Sequence, residues 1–454
     1  MATQYLQRNG IKLAYQVAGS AARDLIIVPG IVSHVEFAHE IPGYSHFIAR
    51  MTEHFRVITF DKRGNGLSGR LQSAPTLEQR MDDIRLIMDE VGSDKAVIFG
   101  FSEGGALSAL YSAMHPERVD RLIIFGSFAV VPGLEKVTSL PPFIRAPLLR
   151  WKVRSEQKKI RKNWGNGDFI KRTLPTKVMV DGKLRRVLQT YEESSTTPEG
   201  MANMIDLISQ VDVRPFLKDV HCPTLVMHSH DDRLVPFHCG HALQAGIEHA
   251  EFVELNEAGH NFFMHESDTI INKVFEFAGS AVAAAPTDIS GRILATILFN
   301  DIVDSTRLQA SLGDAVWREK MRQFITLTRE HVTHFEGHFI KSMGDGVLAI
   351  FSGPTRAIEC AVRIKEDVKS LGLDLRTGLH VGEIERFNED ISGINVNAAS
   401  RIQSLAAGDQ VLVSSVLKSL VFGSGITFKD VGDFELKGFD EQWRLAQVIT
   451  VTKP

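Results

Sequence analysis

Six short apolar runs, separated by helical stretches, constrain the first part of this chain more than any other feature: "DLIIVPG", "RVITFD", "AVIFGF", "RLIIFG", "PTLVMHS" and "EFVELN". Strands that are apolar on both faces belong inside a sheet covered on both sides, and intervening helices make that sheet parallel. Between "RLIIFGSF" and "CPTLVMHS" the rhythm stops and Lys, Arg, Pro and Leu dominate, which predicts a helical excursion above the sheet over about 130–218. At "FAGSAVAAAPTDISG", Phe277–Gly291, small residues and Pro take over, as at a domain boundary. The pattern then restarts with the strand "RILATILFNDI" and a helix from Gln309 to about Glu336. A hairpin follows in "FIKSMGDGVLAIF", then a helix over about Pro354–Leu371, the strand "DLRTGLHVGEI" and the helix "NVNAASRIQSLA". That order predicts a second α/β sandwich with an antiparallel sheet. The expected division is a domain over 1–280, a linker over 281–291 and a domain over 292–454, in keeping with a chain of 454 residues.

The net charge of −4 offers no bulk attraction to nucleic acid, and none is expected as a partner. Cys222, Cys239 and Cys360 are few, odd in number and widely spaced, which predicts a reducing compartment and no zinc site. The opening "MATQYLQRNGIKLAYQ" has no apolar core of signal-peptide length, and no apolar run is long enough to span a bilayer. A cytoplasmic location without a membrane span is expected.

"VIFGFSEGG" places Ser102 between small residues, directly after a strand and before the helix "ALSALYSAMH". A tight strand-to-helix turn lifts a serine hydroxyl above the sheet and aims the next backbone N–H, that of Glu103, at a reacting carbonyl. Such a serine needs a base, and the base needs an orienting acid. "HSHDDRLVP" ends one strand with Asp231 and Asp232, and "LNEAGHNF" ends the next with His260. Residues 1–280 thereby resemble an α/β-hydrolase with a helical cap. The family pattern D-x-x-V-P selects Asp232 as the acid and Gly-His selects His260 as the base. "VPGIVSH" resembles the oxyanion loop, with Ile31 as the second N–H donor, and "DKRGNGLSG" matches a common family signature. The chain departs from many members in having Pro29-Gly30 where they have His-Gly. The resemblance implies a serine hydrolase of a small ester or lipid. A metal site at His228, His230 and Asp231 is weighed and set aside. The basic segment "RAPLLRWKVRSEQKKIRKNW" reads first as a solvated helix face, and second as a surface for anionic lipid or an acidic substrate.

In the second domain "ILFNDIVDST" ends a strand with Asp301, and Asp345 sits at the hairpin tip. Two carboxylates on neighbouring strand ends suit Mg²⁺ or Mn²⁺. "EDISGINVNAASR" adds Asp390, Asn397 and Arg401, the last two four apart and so on one helix face. An amide and a guanidinium there can orient a ribose and neutralise charge on a phosphoryl group. This constellation resembles the class III nucleotidyl cyclase catalytic domain, a ferredoxin-like α/β fold, over 292–450. The resemblance implies two Mg²⁺ or Mn²⁺ ions per site on Asp301, Asp345 and Ile302, the last having only its main-chain carbonyl to offer. It also implies Lys341 and Asp390 as purine readers, Asn397 as the ribose-positioning residue, Arg401 as the transition-state arginine and Lys437 in "ELKGF" as the triphosphate lysine. A Lys donor meets adenine N1 and an Asp acceptor meets its N6 amino group, whereas guanine has the reverse polarity, so ATP is the expected substrate. The family's head-to-tail homodimer takes Asp301 and Asp345 from one chain and Lys341, Asp390, Asn397 and Arg401 from its partner. The whole chain resembles bacterial, actinobacterial-type fusions of an α/β-hydrolase domain with an adenylyl cyclase. Three readings stand at this point: a cyclase with a regulatory hydrolase domain, a bifunctional enzyme that is mainly an esterase, and a cyclase with a non-catalytic sensor domain.

Overall fold

Each of the six apolar runs forms a strand. A computed structural model of the chain describes residues 1–8, 10–70, 75–133, 142–209, 211–279, 292–387 and 390–452. The chain divides into two units, Met1–Ala285 and Pro286–Pro454, and the expected linker over 281–291 lies outside the described residues.

In the first unit the strands are β1 (Gln4–Arg8), β2 (Ile11–Ala18), β3 (Asp24–Val28), β4 (Arg56–Phe60), β5 (Ala96–Phe101), β6 (Val119–Phe125), β7 (Thr224–Ser229) and β8 (Glu251–Leu255). They lie in the order β1-β2-β4-β3-β5-β6-β7-β8 and are parallel from β4 onward. Every residue of β3 and β7 is buried, as a sheet covered on both faces requires. The antiparallel hairpin of β1 and β2 is an addition to the sequence reading. Only Leu6 of β1 is buried, so this edge strand has no apolar run to betray it. Helix α1 (Leu77–Glu90) precedes β5 in the chain, and α2 (Glu103–Met114), buried along its whole length, follows it. Between β6 and β7 lies the helical excursion, with α3 (Pro142–Asn163), α4 (Gly182–Ser195) and α5 (Pro198–Ile208). Glu192 of α4 holds the preceding turn by accepting from the N–H groups of Gly165 (2.9 Å), Gly167 (3.0 Å) and Ile170 (3.0 Å). The cap is tied to the loop after β4 by the Gly66 N–H, which donates to the Ser195 carbonyl at 2.7 Å.

The second unit is built on β9 (Arg292–Ile302), β10 (His338–Met343), β11 (Gly346–Phe351), β12 (Leu375–Phe387), β13 (Asp390–Ser392), β14 (Gln410–Ser414), β15 (Ile426–Glu435) and β16 (Gln442–Val451). The order is β10-β11-β9-β12-β14-β16-β15, with β13 paired to β12. The sheet is mixed rather than purely antiparallel, because β12 and β14 run parallel, joined through the crossover helix α8 (Ile394–Leu405). All six residues of β11 are buried, so helices cover both faces. Val396 and Ala399 of α8 pack on Ile297, Phe299 and Leu348. Helices α6 (Asp314–His334) and α7 (Pro354–Asp367) pack against the other face. The expected helix from Gln309 is two helices, Ser305–Leu312 and α6, because Gly313 at φ +76° breaks the spiral. The helix expected to reach Leu371 is α-helical only to Asp367 and ends in a 3₁₀ turn at Gly372, φ +69°.

Candidate active sites

Ser102 stands where β5 turns into α2, with φ 54° and ψ −133°. A non-glycine residue held there costs about 1–3 kcal/mol, which the surrounding packing must offset. That packing is tight: a Cβ at Gly104 would fall 2.3 Å from the Val28 carbonyl oxygen, and one at Gly100 2.6 Å from that of Gly104. The small residues around the serine therefore let α2 meet the strand ends at close range. At the first position of α2 the Glu103 N–H has no intrahelical acceptor and remains available to a ligand oxygen.

The Glu103 side chain points into the protein. Its Oε2 accepts from Lys62 Nζ and forms an ion pair with Arg80 Nη2, each at 2.5 Å, and all three side chains are at most 1% exposed. Burial pushes the Lys62 ammonium down to about 8, against the opposing pull of Glu103. Removing the single anion would strand two buried cations, so Glu103→Ala should destabilise the hydrolase unit by about 3–5 kcal/mol. A lower unfolding midpoint in denaturant checks this, with Glu53→Ala, at an exposed pair with Arg50, as the substitution that should leave it essentially unchanged.

Of the two adjacent aspartates, Asp232 faces His260: its Oδ2 lies 2.7 Å from His260 Nδ1. Its Oδ1 accepts from the N–H groups of Leu234 (2.9 Å) and Val235 (2.8 Å). Burial raises the Asp232 carboxyl, but the charge and hydrogen bond of His260 and the Val235 N–H outweigh it and hold the group below its usual range. Asp231 serves the backbone instead, accepting from Gly259 N–H (2.7 Å) and Thr176 N–H (2.9 Å). His228 is buried against the Val235 carbonyl at 2.9 Å, and His230 stacks on Phe237 at 3.8 Å. No metal-holding group of three His, Cys, Asp or Glu side chains occurs among the described residues.

Ser102, His260 and Ile31 line one cavity, and Phe169, Thr173 and Tyr191 of the cap contribute to its wall. Sequence reasoning assigned no role to another member of its wall, Asp61, the first residue of "DKRGNGLSG".

In the second unit the Asp301 and Asp345 positions adjoin. Asp301 pairs in register with Gly346, next to Asp345, and the Ile302 N–H donates to the Asp345 carbonyl at 3.2 Å. A side chain at Gly346 would lie 3.4 Å from Asp301 Oδ1, so the glycine keeps the space beside that oxygen open. Asp301 Oδ2 is held by Arg376 of β12, through Nε at 3.0 Å and Nη2 at 2.5 Å. Sequence reading passed over Arg376, because only strand register places it opposite Asp301. Lys341 Nζ donates to Asp390 Oδ2 at 2.6 Å, and that bond lowers the Asp390 carboxyl below its usual range. Lys341 stands opposite Leu348 in the ladder, which places it on the sheet face that carries α8. Asn397 and Arg401 lie on the exposed side of α8, and Lys437 is exposed just after β15. The close seat of α8 depends on Gly378, where a Cβ would fall 2.2 Å from Gln403 N.

Residues 25–267 match the model of the alpha/beta hydrolase fold, and residues 293–449 that of the adenylate and guanylate cyclase catalytic domain. The chain belongs to the α/β-hydrolase fold family. Its particular form is that hydrolase domain followed by a class III adenylate/guanylate cyclase catalytic domain. The AB hydrolase superfamily protein YisY of Bacillus subtilis is 28% identical over 234 residues, covering 50% of this chain and 82% of that protein. "Putative adenylate cyclase 3" of Rhizobium meliloti is 30% identical over 165 residues, covering 33% of this chain and 27% of that protein. Among solved structures, the α/β-hydrolase enzyme MGS-M2 from a Medee basin deep-sea metagenome library shares the fold of the first domain. It is 18% identical, with TM-score 0.51, over 61% of this chain and 98% of that one.

Proposed function

We propose that the chain is an adenylate cyclase that converts ATP to 3′,5′-cyclic AMP and pyrophosphate, and that its first domain is a serine hydrolase acting on a small ester or lipid. The observation that carries the cyclase reading is the pairing of Lys341 with Asp390 at 2.6 Å in the same unit that sets Asp301 beside the Asp345 turn. A lone donor and a lone acceptor side by side match adenine N1 and its N6 amino group. Asp301 Oδ1, open beside Gly346, and the Asp345 carboxylate form the oxygen-only donor set that suits Mg²⁺ or Mn²⁺, cations that keep waters and take phosphate oxygens as further ligands. When bound there, two such ions supply charge to the phosphoryl oxygens and acidify the ribose 3′-hydroxyl. Asn397 orients the ribose so that this hydroxyl stands in line with the α-phosphorus. Arg401 neutralises the charge that grows as pyrophosphate departs, and Lys437 holds the triphosphate. Arg376, already against Asp301, adds a cation on the phosphate side.

Asn397 and Arg401 are exposed in the single chain, which supports a homodimer in which each protomer completes the site begun by Asp301 and Asp345 of the other. ATP as substrate and three free cysteines support a cytoplasmic location. Among the described residues no helix is long and apolar enough to cross a membrane. The hydrolase reading is supported by the strained Ser102 turn and by the His260–Asp232 pair in one cavity.

Purified protein supplied with ATP or GTP and Mn²⁺ tests the cyclase reading, with cyclic AMP as the expected product. In the same assay Lys341→Glu with Asp390→Cys should weaken ATP use and permit GTP use, since each mismatched polar group costs about 1–3 kcal/mol. Undiminished ATP selectivity in the double variant would show that other contacts read the base.

A further inference from the structure

The cap helix α3 has two faces of opposite character. Val153 and Ile160 are each 7% exposed and turn toward the protein, and Gln157 between them donates to the Ala202 carbonyl of α5 at 3.0 Å. On the other side Arg150, Arg154, Lys158 and Lys162 are exposed, each four residues after the last, and so form one row along the helix. Trp151 is 67% exposed and stands three residues before Arg154 and seven before Lys158, which puts it beside that row. Neighbouring cations have partners: Lys159 pairs with Glu156 at 3.1 Å and Arg161 with Glu199 at 2.8 Å. The four of the row form no ion pair among the described residues.

Like charges four apart on a helix repel, and an exposed indole leaves a large apolar ring in water. An anionic, partly apolar surface relieves both. Residues 150–186 carry thirteen Lys or Arg against three Asp or Glu, a surplus of ten in a chain whose net charge is −4. The remainder of the chain is therefore acidic, and attraction to an anionic surface is concentrated in the cap. Duplex nucleic acid would serve the row of cations alone. A bilayer of anionic lipids serves the row and the indole together, with phosphates at the level of the cations and an interface in which tryptophan is favoured.

We infer that the exposed face of α3 docks the protein on an anionic lipid surface, with Arg150, Arg154, Lys158 and Lys162 against the headgroups and Trp151 at the interface. The contact is peripheral and mainly electrostatic, because Trp151 is the one large hydrophobic side chain exposed on this helix among the described residues. It goes beyond the activities proposed above and does not depend on them. The same cap supplies Phe169, Thr173 and Tyr191 to the wall of the Ser102 cavity, so docking would bring that cavity's cap to the lipid.

The test uses the full chain and sedimentation with vesicles of phosphatidylcholine, alone or with about one-third phosphatidylglycerol. The mixed vesicles should bind about tenfold or more tightly than phosphatidylcholine alone. Raising the salt from about 0.1 M to about 0.5 M should remove most of that preference. Trp151 is the most exposed of the four tryptophans, so emission should shift to shorter wavelength on binding. Arg154→Glu with Lys158→Glu should cut the preference to below about threefold. Trp151→Ala should abolish the emission shift and weaken binding by about threefold or more. Equal binding of wild type to both vesicles overturns the inference, and this comparison needs no variant to fold. A preference undiminished by the two charge reversals overturns it, and so does an emission shift that persists in Trp151→Ala. Duplex DNA bound as tightly as the mixed vesicles, with no emission shift on either, would make the row a polyanion site and overturn the assignment to lipid.

Discussion

Ser102→Ala should lower kcat/KM for short-chain p-nitrophenyl esters by about four to six orders of magnitude, and His260→Ala by a similar factor. The reason lies in the division of labour around the elbow. The serine hydroxyl is a poor nucleophile unless His260 takes its proton, and His260 holds the productive tautomer because Asp232 Oδ2 engages Nδ1 at 2.7 Å. Asp232 remains ionised through that bond, so its orienting charge is present at neutral pH. If the three groups act as one unit, combining Ser102→Ala with His260→Ala should cost hardly more than either alone. Fluorophosphonate labelling gives an independent readout, expected in wild type and absent from Ser102→Ala. If wild type shows neither ester turnover nor labelling, the first domain binds ligand without hydrolysing it.

Asp301→Ala and Arg401→Ala should each leave almost no cyclase activity, yet a mixture of the two should recover roughly a quarter of wild type. Asp301 sits in the strand-end cluster with Asp345 and Arg376, while Arg401 is exposed on α8. If one protomer supplies the first group and its partner the second, a mixed dimer rebuilds one intact site and leaves the other doubly defective. Random pairing at equal amounts makes about half of the dimers mixed, hence about a quarter of the sites whole. Mixing that restores nothing, where subunit exchange is shown to occur, would mean that each chain builds its own site.

Much of this protein is determined by local sequence. The strands β3 to β7 declare themselves because a strand buried on both faces must be apolar throughout, and the turn at Ser102 because close strand–helix contact excludes side chains at Gly100 and Gly104. The hairpin carrying Lys341 and Asp345 is equally local, with Gly344 at φ +72° in a two-residue turn. Other features depend on residues distant in the chain, and only the tertiary structure decided them. The edge strand β1 is polar and owes its existence to pairing with β2. The Lys62–Glu103–Arg80 cluster joins a loop and two helices, and each member alone reads as a surface charge. Arg376 meets Asp301 because β12 pairs with β9 in one register, and a slip of one residue would send it to the opposite face. Asp61 belongs to a motif visible in the sequence, but that its Oδ2 braces the Val35 and Leu67 N–H groups follows from how two loops close around it. Spacing along the chain shows which groups a local turn must present; the partners those groups find depend on register and packing between distant segments.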